Sequence, residues 1–269
     1  MGKSMKVDLE QGTREWKLLR RTKITGTDAS IIMGLNKWST PYQLWRQKQG
    51  YTEVRTNFRM RMGSSLECQV RSIIEKQDEC TYTPAVHVSD KRGWMMCSTD
   101  GDSDDGTRIL EIKCGEGAYR LFQEGIVPAY YNAQMQHNMF VSGASEAKYV
   151  AAVLEDGILM TPSTIVERDD NYIKKMIKAE KNWYMQHVVD CIPPELQDGE
   201  PLYLDDAESI EIADKWLSAH VQCKEWRELE KTYREQLLEL ATNRDIIVED
   251  RVACRLTGNG TWRVTQHKR

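Results

Sequence analysis

The sequence predicts an α/β or α+β fold in which a central mixed sheet is flanked by helices. Between residues 80 and 190, segments with the alternation of strands stand before and after segments with helical periodicity, which is typical of a sheet covered by helices. A proline-containing acidic segment, residues 191–206, then interrupts the pattern. We therefore expect a core over residues 1–195 and a helical and β-hairpin extension over 196–269, packed on the core.

Four helices are expected before the first long strand. The first should cover about residues 12–21. In the second, Thr27 can cap the N-terminus and Gly34 can end the helix. Pro41 suits the first turn of the third helix, and Gly50 should end it.

The fourth helix is predicted over residues 62–77, with Ser64 or Ser65 near its N-cap. We expect the tryptophans at positions 16, 38 and 45 to lie in the core rather than to stack on bases.

Strands and helices alternate in the rest of the chain. Asp156 and Gly157 suit a hairpin turn, and Gly258 suits the turn of a last hairpin. We predict strands at 80–89, 93–102 and 107–114, two strands within 146–167, helices at 117–125, 128–143, 170–190 and 207–242, and a hairpin at 246–266.

Composition and charge exclude several classes of protein. The seven cysteines are scattered and include no C-x-x-C, which favours a reducing compartment and opposes a zinc or iron–sulfur site. No apolar segment is long enough to span a membrane, and no secretory signal is seen, so we expect a protein of the bacterial or phage-infected host cytoplasm without a membrane partner. The net charge of −4 hides basic segments at 14–23 and 55–61 and acidic ones at 100–105 and 195–214. This segregation suits an anionic substrate at an acidic metal centre, or simply solvated charged faces.

The segment "CSTDGDSDDGTRILEIKC", residues 97–114, combines a cluster of acids with an apolar strand. A calcium loop of the EF-hand type would place acids from Asp100 to Glu111 at the correct positions. It requires glycine where Asp105 stands, however, and helices where the flanks resemble strands. A solvated turn explains the aspartates, but it does not explain the charges on the strand that follows.

A metal-dependent hydrolytic centre is the third interpretation of this segment. Residues two apart on a strand share a face, so Glu111 and Lys113 should point the same way. A hairpin can bring Asp100 close to Glu111, and carboxylate oxygens are the anchors that Mg²⁺ prefers. Lys113 would then orient a water molecule and offset charge on a phosphate. The pattern is short, so a surface ion pair remains an alternative.

Four segments in order resemble one family of nucleases. They are "RRTKITGTDASIIMGLNKWSTPYQLWRQKQG", "GSSLE", "STDGD" followed by "LEIKC", and "YYNAQMQHNMFVSG". Over about residues 12–160 they are similar to the lambda-type phage recombination exonucleases, including the YqaJ-like viral recombinases, which have the PD-(D/E)XK nuclease fold. The sequence departs from that pattern at Thr99, where the family has proline, and a proline there would stiffen the strand without being a ligand.

The resemblance assigns roles around a metal ion. Asp100 and Glu111 match the metal ligands, with the carbonyl oxygen of Ile112 as a further ligand. Lys113 matches the catalytic lysine. Glu67 matches a helix glutamate that completes a second metal site or holds a water molecule.

Three further residues match positions outside this group. Gln134 matches a glutamine that positions the site from the following helix. Arg20 and Thr27 match the residues that take the 5′-phosphate, because arginine offers a bidentate fork and a helix N-terminus offers backbone donors.

The resemblance implies a Mg²⁺-dependent 5′-to-3′ exodeoxyribonuclease, with Mn²⁺ as a substitute. It would degrade one strand of linear double-stranded DNA from 5′-phosphorylated ends in phage-type recombination. It also implies a homotrimer and a single-strand-annealing protein as partner. The alternatives are an endonuclease or CRISPR-adaptation-type nuclease of the same superfamily and a non-catalytic scaffold that binds DNA or metal.

Overall fold

A seven-stranded sheet forms the centre of the first part of the chain. The structure, a computed structural model, describes residues 4–53, 58–199, 201, 204, 207–241, 246–248, 252–257 and 261–266. The chain divides into two units, Met1–Gly199 and Glu200–Arg269.

The elements of the first unit alternate between helices and strands. In chain order they are β1 (Ser4–Val7), α1 (Arg14–Arg21), α2 (Gly26–Ile32), α3 (Pro41–Gln49), α4 (Phe58–Asp78), β2 (Tyr82–Ser89), β3 (Met96–Ser103), β4 (Arg108–Cys114), α5 (Glu116–Gln123), α6 (Ala129–Ser142), β5 (Glu146–Glu155), β6 (Ile158–Met160), β7 (Ser163–Glu167) and α7 (Asp170–Trp183), which continues as a π-helical segment (Tyr184–Val189).

The sheet is mixed and mostly antiparallel. Its strand order is β1-β2-β3-β4-β5-β6, and β7 also pairs with β5. The pair of β4 and β5 is parallel, whereas the other pairs are antiparallel. A parallel pair needs a crossover, which α5 and α6 supply. This mixed sheet flanked by helices confirms the predicted fold class.

Strand β4 lies between two layers of helix. Val70 of α4 belongs to one buried cluster with Leu110 and Ile112 of β4. Ile109 of β4 belongs to a different cluster with Met135 of α6. Neighbouring side chains of β4 therefore face opposite layers, α4 on one side and α6 on the other, as the two-residue period of a strand requires.

The helix boundaries agree with the predictions at α3 and differ at α2. Pro41 begins α3, and Gly50 ends it with a φ of +80°, a left-handed conformation that glycine adopts without strain. The N-cap of α2 is Thr25, so the prediction that Thr27 caps this helix was wrong. The carboxylate of Asp28 accepts a 2.9 Å hydrogen bond from the Thr25 backbone N–H, which fixes the start of the helix two residues earlier.

The start of α4, the presence of β1 and the number of strands after α6 also differ from the predictions. Helix α4 begins at Phe58, so Ser65 lies inside it and does not mark its N-terminus. Strand β1 was not predicted, because four residues at a sheet edge carry little periodic signal. The segment expected to form two strands forms three, with Pro162 between β6 and β7, where a residue without an N–H interrupts the second strand.

The second unit contains a long helix and a small sheet. Helix α8 covers Ala207–Ala241. Strands β8 (Ile246–Val248), β9 (Val252–Leu256) and β10 (Trp262–Gln266) form an antiparallel sheet in the order β10-β9-β8. The predicted turn around Gly258 lies outside the described residues. Within the described part of the chain, no helix has both the length and the apolar character that a membrane crossing needs.

Candidate active site

Asp100 and Glu111 lie on neighbouring strands where the ladder between β3 and β4 ends. In this ladder Gly101 pairs with Leu110 and Asp102 pairs with Ile109. One further step in the same register would place Asp100 opposite Glu111. Oδ2 of Asp100 accepts a 2.7 Å hydrogen bond from the backbone N–H of Ile112. The carboxylate thus occupies the place where a strand carbonyl would normally accept, and it is held at the sheet surface beside β4.

Glu111 is 2% exposed and is surrounded by donors. Its Oε1 accepts from Nε2 of Gln134 at 2.6 Å and lies 2.5 Å from Nζ of Lys113. Its Oε2 accepts from Nδ2 of Asn138 at 3.2 Å. A buried carboxylate is costly unless it is paired and hydrogen-bonded, and these three contacts meet that requirement.

The side chains of Glu111 and Lys113 face α6, as the alternation of β4 predicts. The ammonium group of Lys113 also lies 5.0 Å from the centre of the Tyr131 ring, on the first turn of α6. Burial lowers the pKa of Lys113, but the charges of Glu111 and Asp100 outweigh it and the pKa is raised overall. The raised pKa favours the charged form of Lys113 beside Glu111.

The carboxylates of this group hold their protons more strongly than free carboxylates. Burial raises the pKa of Asp100, although the charge of Lys113 and the Ile112 N–H oppose the shift. Burial also raises the pKa of Glu111 to about 7, opposed by Lys113 and reinforced by Asp100. Two acids whose charges disfavour each other in this way are stabilised in their ionised forms by a bound cation.

Helix α4 brings Glu67 towards the same centre from the opposite side of β4. The negative charge of Glu67 contributes to the raised pKa of Glu111. Burial raises the pKa of Cys114 to about 11, and the charge of Glu67 adds to that shift. Arg71 lies one turn after Glu67, and its positive charge partly opposes the rise in the pKa of Asp100. Glu67 thus lies within electrostatic reach of Glu111.

The remaining aspartates of the acidic segment have partners elsewhere. Oδ2 of Asp102 lies 2.7 Å from Nε2 of His87. Oδ1 of Asp105 accepts from the backbone N–H of Thr107 at 3.0 Å, which is turn chemistry. The segment is flanked by β3 and β4, so the helices that an EF-hand needs are missing on both sides.

The donor set suits a magnesium ion. No group of three or more histidine, cysteine or acidic side chains that could hold a metal occurs among the described residues. Mg²⁺ does not require such a cage, because it commonly binds through one or two carboxylates and completes its octahedron with water and substrate phosphate. Asp100 and Glu111, with the Ile112 carbonyl, would hold the ion, and Glu67 of α4 would act through a water molecule.

Arg20 lies on α1 near the first turn of α2. Its guanidinium group is 4.6 Å from the centre of the Trp16 ring, and Nη2 is 3.4 Å from Oγ1 of Thr25. Nε1 of Trp16 donates to Oγ of Ser98 at 2.9 Å, and Ser98 precedes Asp100 by two residues on β3. Arg20 is therefore tied to the strand that carries Asp100.

The predicted partner of Arg20, Thr27, is exposed on the first turn of α2. The contact of Arg20 is with Thr25, two residues earlier, because Thr25 and not Thr27 stands at the N-cap. Next to Thr25, Gly26 packs so closely on α6 that a Cβ atom there would lie 2.3 Å from Oδ1 of Asn138. The first turn of α2 thus adjoins the side chains that hold Glu111.

Sequence reasoning missed two polar residues of the site. Asn138 follows Gln134 by four residues, so the spacing that places both on one face of α6 was available as a signal. The side chain of Lys48 on α3 is 5% exposed. It donates to the carbonyl oxygens of Arg20 at 2.8 Å and Lys23 at 2.6 Å, and its Nζ is 2.5 Å from Oδ2 of Asp28. No local pattern predicts these contacts, since the partners are 20 to 28 residues away in the sequence.

The prediction that Trp38 lies in the core was wrong. Trp38 is 61% exposed, whereas Trp45 is buried and Trp16 is partly buried. Trp45 follows Leu44 on the face of α3 that packs inward, but Trp38 lies on the loop before that helix.

Comparisons with known proteins link this chain to one family of domains. Residues 15–145 match the family model of the YqaJ-like viral recombinase domain. The chain is 33% identical to protein YqaJ of Bacillus subtilis (strain 168) over 193 residues, which are 70% of this chain and 60% of that protein. The chain thus spans 60% of the length of this relative.

Solved structures share the fold. The alkaline exonuclease LHK-Exo from Laribacter hongkongensis has a TM-score of 0.57 at 23% identity, covering 66% of this chain and 94% of its own. LHK-Exo in complex with dAMP has a TM-score of 0.58 at 22% identity, with the same coverage. The resemblance inferred from the four sequence segments is confirmed, and residues 15–145 are similar to the YqaJ-like viral recombinase domain.

Proposed function

We propose that this chain is a metal-dependent 5′-to-3′ exodeoxyribonuclease that degrades one strand of linear double-stranded DNA in phage-type recombination. One observation carries the proposal: Asp100 and Glu111 stand on adjacent strands with the ammonium of Lys113 2.5 Å from Glu111, in a YqaJ-like domain. The shared fold of an alkaline exonuclease, LHK-Exo, supports the same activity.

The chemistry is hydrolysis of a phosphodiester. The oxygen of a water molecule forms a bond to phosphorus, the bond from phosphorus to the 3′ oxygen breaks, and the departing oxygen takes up a proton. When bound, Mg²⁺, or Mn²⁺ in its place, acts as a Lewis acid that lowers the pKa of water and offsets charge on the phosphate. Asp100, Glu111 and the Ile112 carbonyl would hold the ion, and Glu67 would hold a water molecule beside it.

The residues around Glu111 have separate tasks. Lys113 carries a positive charge that stabilises charge developing on the phosphate and orients the attacking water. Gln134 keeps Glu111 in place from α6, and Asn138 does the same at the second oxygen. Arg20 takes the 5′-phosphate, and Thr27 lies on the helix turn beside it. The proposed enzyme works as a homotrimer with a single-strand-annealing protein as partner.

Labelled DNA tests the activity directly. Linear duplex labelled at either the 5′ or the 3′ end is incubated with the protein and Mg²⁺, beside a closed circular control and an EDTA control. We expect early release of the 5′ label as mononucleotide, late release of the 3′ label and an intact circle. Cleavage of the circle would indicate an endonuclease, and no cleavage at any metal concentration would indicate a scaffold.

A lysine variant separates catalysis from binding. Lys113→Ala should lower the rate by about 100-fold or more, as removal of a donor to a developing anion does, while DNA binding is retained. The matched control is Lys91→Ala, at an exposed lysine in the turn between β2 and β3. If Lys113→Ala digests duplex at the rate of the parent, the assignment of Lys113 is wrong.

A further inference from the structure

The loop between α2 and α3 presents an aromatic side chain to solvent in an ordered way. Trp38 is 61% exposed. The side-chain oxygen of Asn36 accepts hydrogen bonds from the backbone N–H groups of Trp38 and Ser39, both at 2.9 Å, and Nδ2 of Asn36 donates to Oγ of Ser30 at 3.0 Å. The loop is thus fixed to α2. An exposed indole on a fixed loop is available for a ligand.

A series of ring contacts connects the indole of Trp38 to the candidate active site. Its ring lies 4.9 Å from the ring of Tyr130 in an edge-to-face arrangement at 81°. The ring of Tyr130 lies 4.4 Å from that of Tyr131, and Nζ of Lys113 lies 5.0 Å from the Tyr131 ring. Three successive contacts therefore lead from the exposed tryptophan to the proposed catalytic lysine.

Helix α6 explains this continuity. Tyr130, Gln134 and Asn138 follow one another at intervals of four residues, so they lie along one face of the helix. Gln134 and Asn138 hold Glu111, and Tyr130 extends the same face by one turn towards the loop that carries Trp38. The face that positions the carboxylate also carries the aromatic ring.

A positive charge accompanies the two rings. Nζ of Lys37 lies 4.9 Å from the ring centre of Trp38 and 5.8 Å from that of Tyr130. Among the described residues, no carboxylate is within ion-pair distance of Lys37. An exposed indole and a partly buried phenol ring beside this cation suit a ligand that has both a flat π-system and a negative backbone, which is the chemistry of a nucleotide strand.

We propose that Trp38 and Tyr130, with Lys37, form a stacking site for an unpaired base of the DNA next to the scissile end. This rests on the proposed nuclease function. Bases inside a duplex are covered by their neighbours, so the site takes a base of a strand that has separated from its partner. Lys37 neutralises the adjacent phosphate, and Trp38 supplies most of the stacking area because it is the most exposed ring of the group.

A double-mutant cycle between protein and DNA tests the site. Binding to duplex with a short 5′ single-stranded extension is measured by fluorescence anisotropy in EDTA, so that hydrolysis does not interfere. In one DNA series an abasic nucleotide replaces each base of the extension and end region in turn. The proteins are the parent, Trp38→Ala, Trp38→Phe and, as a matched control, Trp226→Ala, at a tryptophan that is 68% exposed on α8.

Trp38→Ala should weaken binding by about 5- to 150-fold, the range for loss of one aromatic stack, and Trp38→Phe should weaken it less. One abasic position should weaken binding by the parent to a similar extent and have little further effect on Trp38→Ala. Additive losses at every position, or an equal loss in Trp226→Ala, would overturn the stacking site.

The two proposals fail in different ways. If the parent cleaves linear duplex but the binding losses are additive, the stacking site is refuted and the nuclease proposal stands. If the losses are non-additive in EDTA but the parent cleaves no DNA with Mg²⁺, the nuclease proposal is refuted and a base-binding site stands. If the parent binds no DNA, both proposals are refuted.

Discussion

Gln134 of α6 donates a 2.6 Å hydrogen bond to Oε1 of Glu111 on β4. The bond crosses from one layer to another and ends on a carboxylate that is 2% exposed. Because Oε1 also faces Lys113, Gln134 controls the orientation of the oxygen that faces the proposed catalytic cation.

Gln134→Met should therefore lower activity more than stability. Methionine fills a similar volume without the donor, so Glu111 would keep Lys113 and Asn138 but lose its third contact. We expect a fall in cleavage rate of about 10- to 100-fold, the usual cost of removing an outer partner of a metal ligand. The cleavage rate and the urea midpoint of unfolding are measured on the same preparations.

Gln136→Met is the matched control on the same helix. Gln136 donates to the carbonyl of Glu167 and accepts from the N–H of Asp169, both at 2.8 Å, and so fastens α6 to the segment before α7. Its loss should cost about 1–3 kcal/mol of stability but leave the rate per folded molecule unchanged. If instead Gln136→Met lowers the cleavage rate and Gln134→Met lowers only the stability, Gln134 does not have the proposed role.

Arg20→Ala should reduce discrimination between 5′-phosphorylated and 5′-hydroxyl ends. A hydrogen bond to a charged group contributes about 1.5–3 kcal/mol, so the ratio of kcat/KM for the two ends should narrow by about 10- to 100-fold. Arg20→Lys should restore only part of the ratio, because lysine lacks the bidentate fork. Arg14→Ala, at an exposed arginine on the same helix, should leave the ratio as in the parent. An unchanged ratio in Arg20→Ala would show that another group reads the phosphate.

Strand β4 was the part of the candidate site most open to prediction from sequence. The two-residue period of β4 places Glu111 and Lys113 on one face whatever packs on it, and the structure shows both facing α6. The start of α2 was also encoded locally, since Thr25 and Asp28 have capping-box spacing, and the prediction of Thr27 overlooked it.

The features that were missed depend on contacts that are distant in sequence. Lys48 resembles an ordinary surface lysine of a short amphipathic helix, and only the fold brings two carbonyl groups and Asp28 around it. Trp38 is an aromatic residue of the kind that is usually buried, but it lies on a loop in edge-to-face contact with Tyr130 and stays 61% exposed. Burial of an aromatic residue is a tertiary property and cannot be read from its neighbours along the chain.

Gly26→Ala should disturb the site through packing. The added Cβ would lie 2.3 Å from Oδ1 of Asn138 and 2.9 Å from Cγ of Gln134, so α2 and α6 must move apart or both side chains must shift. Overpacking of this kind costs about 1–3 kcal/mol, and because the shifted side chains hold Glu111, cleavage should also fall. In Gly93→Ala the new Cβ meets nothing within 4 Å, so that variant should keep both activity and stability. If Gly26→Ala cleaves DNA at the rate of the parent, the site tolerates displacement of α6.

His137 and Glu180 form a pair that is fully buried behind the site. Nδ1 of His137 lies 2.8 Å from Oε1 of Glu180 on α7, and Nε2 donates to the carbonyl of Met96 on β3 at 3.0 Å. The carbonyl can only accept, so Nε2 carries a proton. A second proton on Nδ1 makes the imidazolium that suits the carboxylate. The pair thus joins α6, α7 and β3.

The pH dependence of stability should report this pair. Burial lowers the pKa of His137, but the charge and hydrogen bond of Glu180 outweigh it, so the folded-state pKa is raised above the ordinary 6.5. A raised pKa means that the folded protein binds the proton more tightly than the unfolded chain does. The contribution to stability is therefore complete below about pH 6.5 and is lost as the pH rises through the folded-state pKa.

Glu180→Gln tests this linkage because it keeps an acceptor for Nδ1 but removes the charge that holds the proton. Urea unfolding of the parent and the variant is measured at several values between pH 6 and pH 9. The free energy of unfolding of the parent should fall with rising pH relative to that of the variant. Glu111, whose pKa is also raised, is present in both proteins, so its effect cancels in the difference. A difference that stays constant over this range would show that His137 is neutral in the folded protein, and that the contact with Glu180 is a hydrogen bond without an ion pair.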